Sequence, residues 1–423
     1  MTALSDLESR VLGELDERRL VDDLVRLVRV PSVTGTAEES ELQHSHAAEL
    51  ASLGFDVDAW KFDLDELRAD PRFPGTEADR SEAYGVVAAV GDGQPALVLQ
   101  GHVDVVPTGD LEKWVDRDPF SGAIVGGILH GRGACDMKAG LAANLAVART
   151  LAASAVTLER AFAVHTVVSE EDGGLGAFGT MLRGHTGDAA VLSEPTSGRI
   201  ITANAGALTF AITVPGRAAH GSVRMEGFSA FEAFLPIHRG ILQLEAERNA
   251  APDPLFGDLR LPYAISIGRI TAGDWSSSVP DILVAEGRMG VQLGESPDAA
   301  KAAFERAVAE TARTDPWLAD NPPVVTWPGG QFASGRLDAA HPLIDEVASS
   351  ITDLGGPTPA RAAAPYGSDL RLYSGLGGIP TLHYGPGDVR FAHAPREQVA
   401  LDELIRVTRS LLLLALRRCE AHD

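Results

Sequence analysis

Five segments of this chain carry side chains able to bind cations or move protons. The first, Gly101-His102-Val103-Asp104-Val105-Val106-Pro107, follows the apolar run Ala96–Gln100, which reads as a buried strand. Function in open α/β sheets concentrates at the carboxyl ends of strands, and His102 falls at one. A metal-bound imidazole usually donates its second N–H to a carboxylate, and Asp104 stands two residues on. On its own, a histidine after a strand is also a common structural residue. The second segment, His130-Gly131-Arg132-Gly133-Ala134-Cys135-Asp136-Met137-Lys138-Ala139-Gly140, sets Asp136 between a glycine-rich turn and a helix start. An aspartate there can simply be a cap. The third, Ser169-Glu170-Glu171-Asp172-Gly173-Gly174, puts three acids after the run Phe162–Val168. Such acids repel and are costly to desolvate unless water or a cation offsets them. With a cation present, one carboxylate can bind it while its neighbour takes a proton from metal-bound water. The fourth and fifth are Ser193-Glu194-Pro195-Thr196 and the turn-rich Gly385-Pro386-Gly387-Asp388-Val389-Arg390-Phe391-Ala392-His393. Two histidines and three carboxylates of this kind suit a two-zinc centre, or one of zinc, cobalt or manganese.

The elements that must position these residues alternate along the chain. Helical patterns are expected over 6–29, closed by Pro31, and over 38–53, with Gly54 at the C-terminal cap. Apolar runs at Tyr84–Val90, Ala96–Gln100, Phe162–Val168 and Ala189–Leu192 alternate with helices at Ala139–Leu151 and Phe178–Arg183. This alternation predicts an α/β sheet covered by helices. After Gly198 the order changes: strands at Ala207–Val214, Ala264–Ile270, Ile282–Leu293 and Pro323–Trp327 enclose helices at Phe228–Glu247 and Pro297–Arg313. That β-α-β-β-α-β order is ferredoxin-like. The α/β pattern resumes with a helix at Pro342–Leu354, a strand at Thr381–Tyr384 and a helix at Arg396–Arg418. The expected architecture is therefore a mixed-sheet α/β domain, 1–198 and 332–423, interrupted by a ferredoxin-like α+β domain at 199–331. Asp65–Ser81, rich in charge and proline, reads as a surface loop.

Composition narrows the partners. The 423 residues exceed one ordinary core, at roughly 100–200 residues per domain. With 36 basic against 59 acidic side chains the formal charge is −23, which disfavours nucleic acid and anionic membranes as partners. No run approaches the roughly 20 apolar residues of a membrane span, and the acidic N-terminus lacks the features of a signal peptide, so a cytoplasmic protein is expected. Only Cys135 and Cys419 are present, too few for a disulfide framework or a thiolate metal site. Cys135 reads as a small apolar neighbour of Asp136. His165 reads as a packed core residue, and His130 and His383 as neighbours of the site. No Gly-x-Ser-x-Gly turn occurs to support a serine hydrolase.

Taken together, GHVDVVP, GRGACDMKAG, SEEDGG, SEPT and GPGDVRFAH resemble the di-zinc aminoacylase and carboxypeptidase family. That family includes acetylornithine deacetylase, succinyl-diaminopimelate desuccinylase, bacterial glutamate carboxypeptidase and several dipeptidases. The resemblance runs in the family's order over nearly the whole chain. It implies two zinc ions per chain, with Co2+ or Mn2+ as substitutes. His102 and Glu194 would hold one, His393 and Glu171 the other, and Asp136 would bridge them. Glu170 would be the general base and Asp104 would orient His102. The peptide bond Asp136–Met137 is expected to be cis. His220, in Gly216-Arg217-Ala218-Ala219-His220-Gly221-Ser222, would reach the site of a partner in a homodimer built through the inserted domain and stabilise the oxyanion. Arg288, and Arg371 in Gly367-Ser368-Asp369-Leu370-Arg371, would contact substrate, Arg371 clamping a carboxylate bidentately.

Two departures from the family pattern bear on this reading. Ser276-Ser277-Ser278-Val279-Pro280 has serine where relatives often have an asparagine before Val-Pro, and the acids read Glu-Glu-Asp where relatives often have Asp-Glu-Glu. A shift of one residue would make Glu171 the base and Asp172 the ligand. The unshifted register is preferred because Glu170-Glu171 follows the strand directly, with Gly173 at the usual distance. The implied activity is hydrolysis of the amide bond of small, carboxylate-bearing N-acyl amino acids. A dipeptidase or carboxypeptidase is the alternative, and an inactive binding module a distant one. A two-metal phosphatase would need clustered basic residues, which are missing.

Overall fold

The protein is described by a computed structural model over residues 3–423. The chain divides into two compact units, one of 1–202, 336–362 and 369–423, the other of 203–335 with 363–368.

The first unit is built on a mixed sheet. Its strands run in the spatial order Asp56–Lys61, Tyr84–Val90, Phe162–Val167, Leu97–His102, Ala190–Pro195, Thr381–Gly385 and Ile200–Asn204. The four at the centre, from Phe162–Val167 to Thr381–Gly385, are mutually parallel. The strands next to them, Tyr84–Val90 on one side and Ile200–Asn204 on the other, are antiparallel to them, and Asp56–Lys61 is antiparallel to Tyr84–Val90. The parallel strands are buried along their whole length and read as near-continuous apolar runs, as strands covered on both faces must. The covering is visible at Phe162–Val167: Thr166 bonds to Gln43 on the helix Ala37–Ser52, whereas its neighbour His165 bonds to Tyr373 on the opposite face. The long helices Lys138–Ala153 and Leu401–Arg418 pack against one another and add the largest share of buried leucine and alanine.

The second unit has strands Gly206–Pro215, Ile265–Ala272, Ile282–Val291 and Val324–Thr326, with helices Ala230–Arg248 and Pro297–Ala312. Its sheet is antiparallel, with the last strand beside the first, then the third and the second. That is the ferredoxin-like order expected from the sequence. The strand Gly206–Pro215 alternates buried and half-buried positions toward its end, placing Leu208, Phe210, Ile212 and Val214 in a core with Phe234, Ile237 and Phe304.

Three local expectations change. The helix expected over 6–29 is two helices, Asp6–Gly13 and Glu17–Val28, because the Asp16 side chain accepts the Arg19 N–H and starts a new N-terminus. The final helix begins at Leu401, since Gln398–Ala400 pairs as a strand with Ile128–His130. The stretch Asp65–Ser81 is not simply a surface loop. It contains most of the helix Leu64–Ala69, capped by Asp63, and its penultimate residue, Arg80, is buried. No helix among the described residues is long and apolar enough to cross a membrane.

Candidate metal centre

The four central strands run in one direction, so their carboxyl ends share one edge, and the chemistry-bearing residues gather there. His102 ends Leu97–His102, Glu194 lies near the end of Ala190–Pro195, Glu170 and Glu171 follow Phe162–Val167, and His393 lies in the loop after Thr381–Gly385. Asp136 precedes the helix Lys138–Ala153, and the Asp136–Met137 peptide bond is cis. This helix is drawn close by Gly140: a Cβ there would stand 1.9 Å from the Ser193 carbonyl oxygen, one residue before Glu194.

The distances define one connected cluster. His102 Nε2 is 3.4 Å from Asp136 Oδ1 and 3.8 Å from Glu194 Oε1. The other Asp136 oxygen is 3.4 Å from His393 Nε2, which is 3.0 Å from Glu171 Oε2. His102, Glu170 and Glu194 form one group whose ligand atoms lie within 4.8 Å of one another, and His102, Asp136 and Glu171 a second. Asp136 therefore touches both histidines. His102 Nδ1 donates to the main-chain oxygen of Asp104 at 2.9 Å, leaving Nε2 to face the acids. The Asp104 carboxylate is engaged elsewhere: it accepts the main-chain N–H of Glu170 and of Glu171, both at 3.1 Å, and the Thr34 hydroxyl at 2.8 Å. Asp104 thus orients the imidazole through its carbonyl and the acidic pair through its side chain.

The electrostatics ask for a cation. Burial pushes Glu170 well above the usual carboxylate range, with Glu194 adding to the effect. Burial does the same to Glu194, opposed by His102 and reinforced by Asp136. His393 is raised to about 11, chiefly by Glu171. Burial opposes a charge on His102, yet Asp136, Glu194 and Asp104 outweigh it and push its pKa well up. Surroundings that would force protons onto two imidazoles and two glutamates have an excess of negative charge, which a divalent ion removes. Two buried atoms, His102 Nε2 and Glu171 Oε1, have no hydrogen-bond partner among the described residues. Orphaned ligand atoms of a borderline nitrogen and a hard oxygen fit a zinc-type ion.

Other residues singled out in the sequence lie elsewhere or are held differently. Asp172 turns away from the cluster; it accepts the N–H of Glu77 and Ala78 and pairs with Arg80. Arg371 is buried and donates to the Gly173 carbonyl at 2.6 Å, under the turn that follows the acids. Gly174 in that turn has φ +83°, and a Cβ there would meet Asp369 Oδ1 at 2.6 Å. His220 and Arg288 belong to the second unit. His220 is exposed and its Nδ1 accepts the Ser222 N–H at 3.2 Å, which puts the ring proton on Nε2. Arg288 donates to the Pro365 carbonyl at 3.3 Å.

Sequence reasoning missed Glu397. Its Oε1 accepts the N–H of Cys135 and of Asp136, at 3.2 and 3.1 Å, and its Oε2 accepts from Arg132. The Arg132 guanidinium lies 5.1 Å from the centre of the Trp114 ring. One buried acid four residues after His393 thus fixes the loop carrying Asp136. In the sequence it was only a charged residue four positions after His393.

Known proteins share this organisation. The N-formyl-4-amino-5-aminomethyl-2-methylpyrimidine deformylase of Halalkalibacterium halodurans is 27% identical to this chain over 99% of each. A succinyl-diaminopimelate desuccinylase of Methylorubrum extorquens is 27% identical over 90% of this chain and 94% of its own. Among solved structures, the dipeptidase Dug1p of Saccharomyces cerevisiae superposes with a TM-score of 0.77 at 13% identity, covering 98% of this chain and 99% of its own. The Bacillus subtilis YXEP protein, a dinuclear metal binding peptidase, gives 0.63 at 17% identity, covering 96% and 98%. Residues 98–417 match the family described as peptidase family M20/M25/M40, and the chain belongs to that family as one of its metallo-hydrolases.

Proposed function

We propose that this chain hydrolyses the amide bond of small N-acyl amino acids or similar N-acyl amines, using two divalent cations, zinc by preference. The observation that carries this reading is the convergence of His102, Asp136, Glu171, Glu194 and His393 around orphaned buried ligand atoms, with Glu170 beside them. His102 and Glu194 would hold one ion, His393 and Glu171 the other, with Asp136 between. Asp172 is committed to Arg80 and to two main-chain N–H groups, which supports Glu171 rather than Asp172 as the ligand. When bound, such ions lower the pKa of water toward neutrality and polarise a carbonyl.

The chain's own residues do the rest. Glu170 takes a proton from the attacking water and delivers it to the departing amine nitrogen, so that acid and amine leave in balance. Asp104 holds the Glu170 main chain and thereby the direction of that carboxyl. His220, supplied by a second copy of the chain, would donate its Nε2–H to the developing oxyanion, which makes the homodimer part of the proposal. A substrate carboxylate would meet Arg371 or Arg288. The inserted unit would act as the lid and dimer-forming domain of the catalytic unit.

Removal of an acyl group from an amine is favoured because the deformylase and the desuccinylase, by their names, both do this, and both match nearly the whole chain. The dipeptidase reading shares every residue of the site. The test is metal content together with hydrolysis of N-formyl, N-acetyl, N-succinyl and dipeptide substrates, with and without chelator. About two zinc per chain and chelator-sensitive release of amine from an acylated substrate is the expected result. Preference for dipeptides selects the second reading, and a zinc-reconstituted chain that binds no metal and cleaves nothing refutes both.

A further inference from the structure

The sequence between Asp65 and Ser81 looks like solvent-facing chain, yet Arg80 near its end is 1% exposed at the side chain. Its guanidinium pairs with Glu39 Oε2 and with Asp172 Oδ1, each at 3.2 Å, and these acids are enclosed to 3% and 6%. The two acids in turn hold main chain. Glu39, on the helix Ala37–Ser52, accepts the N–H of Ser169 at 3.1 Å and of Gly35 at 2.7 Å. Asp172 accepts the N–H of Glu77 and Ala78, at 3.1 and 2.8 Å, and the Ser169 hydroxyl. All of these contacts lie within the first unit.

Ser169 is the point on which they converge. Its φ is +63°, in the left-handed region that a residue other than glycine enters only when its surroundings hold it there. The next two residues are Glu170 and Glu171. A buried acid whose cationic partner is removed must take up a proton or move, and either change alters the hydrogen bonds it makes to the main chain. Misplacement of a catalytic group by about 1 Å can cost on the order of 10²-fold in rate.

We propose that Arg80 is a positioning residue of the hydrolytic site: by bridging Glu39 and Asp172 it fixes Ser169, and through it the directions of Glu170 and Glu171. The inference rests on the reading of Glu170 as base and Glu171 as ligand. The planar fork of arginine spans two carboxylates arriving from different elements, and lysine offers a single point of charge.

The experiment compares zinc-loaded wild type with Arg80→Ala, Arg80→Lys and Asp172→Asn, on the substrate turned over fastest in the panel above. It reads kcat per zinc-loaded folded molecule, KM, zinc retention against a chelator and the melting temperature. The expected result is kcat down about 10²-fold in Arg80→Ala and only partly restored in Arg80→Lys. KM should hold near the wild-type value, and one zinc should be released more readily. Millimolar methylguanidinium should restore part of the Arg80→Ala activity. A residue that merely stabilised the fold would lower the melting temperature and leave kcat per folded molecule unchanged. Wild-type kcat in folded Arg80→Ala overturns the proposal. If that variant does not fold, wild-type kcat in Arg80→Lys or Asp172→Asn overturns it instead. The reading beneath it fails separately: a Glu170→Gln enzyme that keeps its activity removes Glu170 as base, whatever the Arg80 variants do.

Discussion

Glu170 and Glu171 are neighbours in sequence, and the Asp104 carboxylate holds the main-chain N–H of both. Their side chains nonetheless diverge: Glu171 reaches His393, whereas Glu170 lies with His102 and Glu194. The proposed function assigns one carboxylate to the metal and the other to proton exchange on the strength of that difference. Glu170→Gln keeps the shape and an acceptor oxygen but cannot take a proton. Its turnover should fall about 10²–10⁴-fold while zinc content by atomic absorption stays near two per chain. Zinc lost together with activity would make Glu170 a ligand instead. Of the candidate ligands, His102, Glu171 and Glu194 were legible at this scale because they fall just after apolar runs, as His102 does after Leu97–Gln100. Asp136 and His393 stand in glycine-rich turns and were legible only through the family resemblance. Glu39, Arg80 and Glu397 were not. Their partners lie 41, 92, 130 and 262 positions away in the chain, and nothing local in the sequence announces such a contact.

At the scale of elements, the site depends on how closely helix and strand approach. Gly140 lies in the first turn of Lys138–Ala153, against the Ser193 carbonyl of Ala190–Pro195. Neither backbone can yield without moving a candidate ligand, Asp136 on one side or Glu194 on the other. Gly140→Ala should destabilise the fold by about 1–3 kcal/mol, the usual penalty for overpacking, and should also weaken zinc binding, read by denaturant unfolding and chelator competition. A variant destabilised but with wild-type zinc affinity would separate the packing from the site. Much of the strand and helix order was readable from periodicity, down to the ferredoxin-like sequence of the inserted unit, although the sheet strands Asp56–Lys61 and Ile200–Asn204 were not. What periodicity could not show was the break at Asp16, where one capping side chain divides an otherwise continuous apolar stripe, or the short strands Ala123–Val125 and Gln398–Ala400, too brief to alternate visibly.

For the whole molecule, two expectations follow. His46 and His165 are held at about 3 by burial, below the ordinary 6.5 of an imidazole. Arg26 and Lys138 reinforce this at His46, opposed by Asp23, and His185 reinforces it at His165. Unfolded chain takes up protons below about 6.5 that the folded chain refuses, so stability is lost as pH falls from about 6.5 toward 3. The slope is at most about 1.4 kcal/mol per pH unit for each histidine. Urea midpoints at pH 7 and pH 5 should therefore fall less steeply in His46→Gln than in wild type; equal slopes would remove His46 from the account. If His220 works in the site of a second copy, mixing inactive Glu170→Gln with inactive His220→Ala chains should restore part of the activity in mixed dimers. No recovery in verified mixed dimers would confine each site to one chain.

The strand Thr381–Gly385 is inserted between Ala190–Pro195 and Ile200–Asn204, in the interior of the sheet. During synthesis on the ribosome, then, the sheet stays open at its middle until residues 381–385 have emerged. Until then Ala190–Pro195 offers a bare edge to any passing strand. His393 arrives after that late strand, so the proposed metal centre would be incomplete in a chain that stops before it. If the proposed centre is right, cation uptake would thus report that synthesis has passed residue 393.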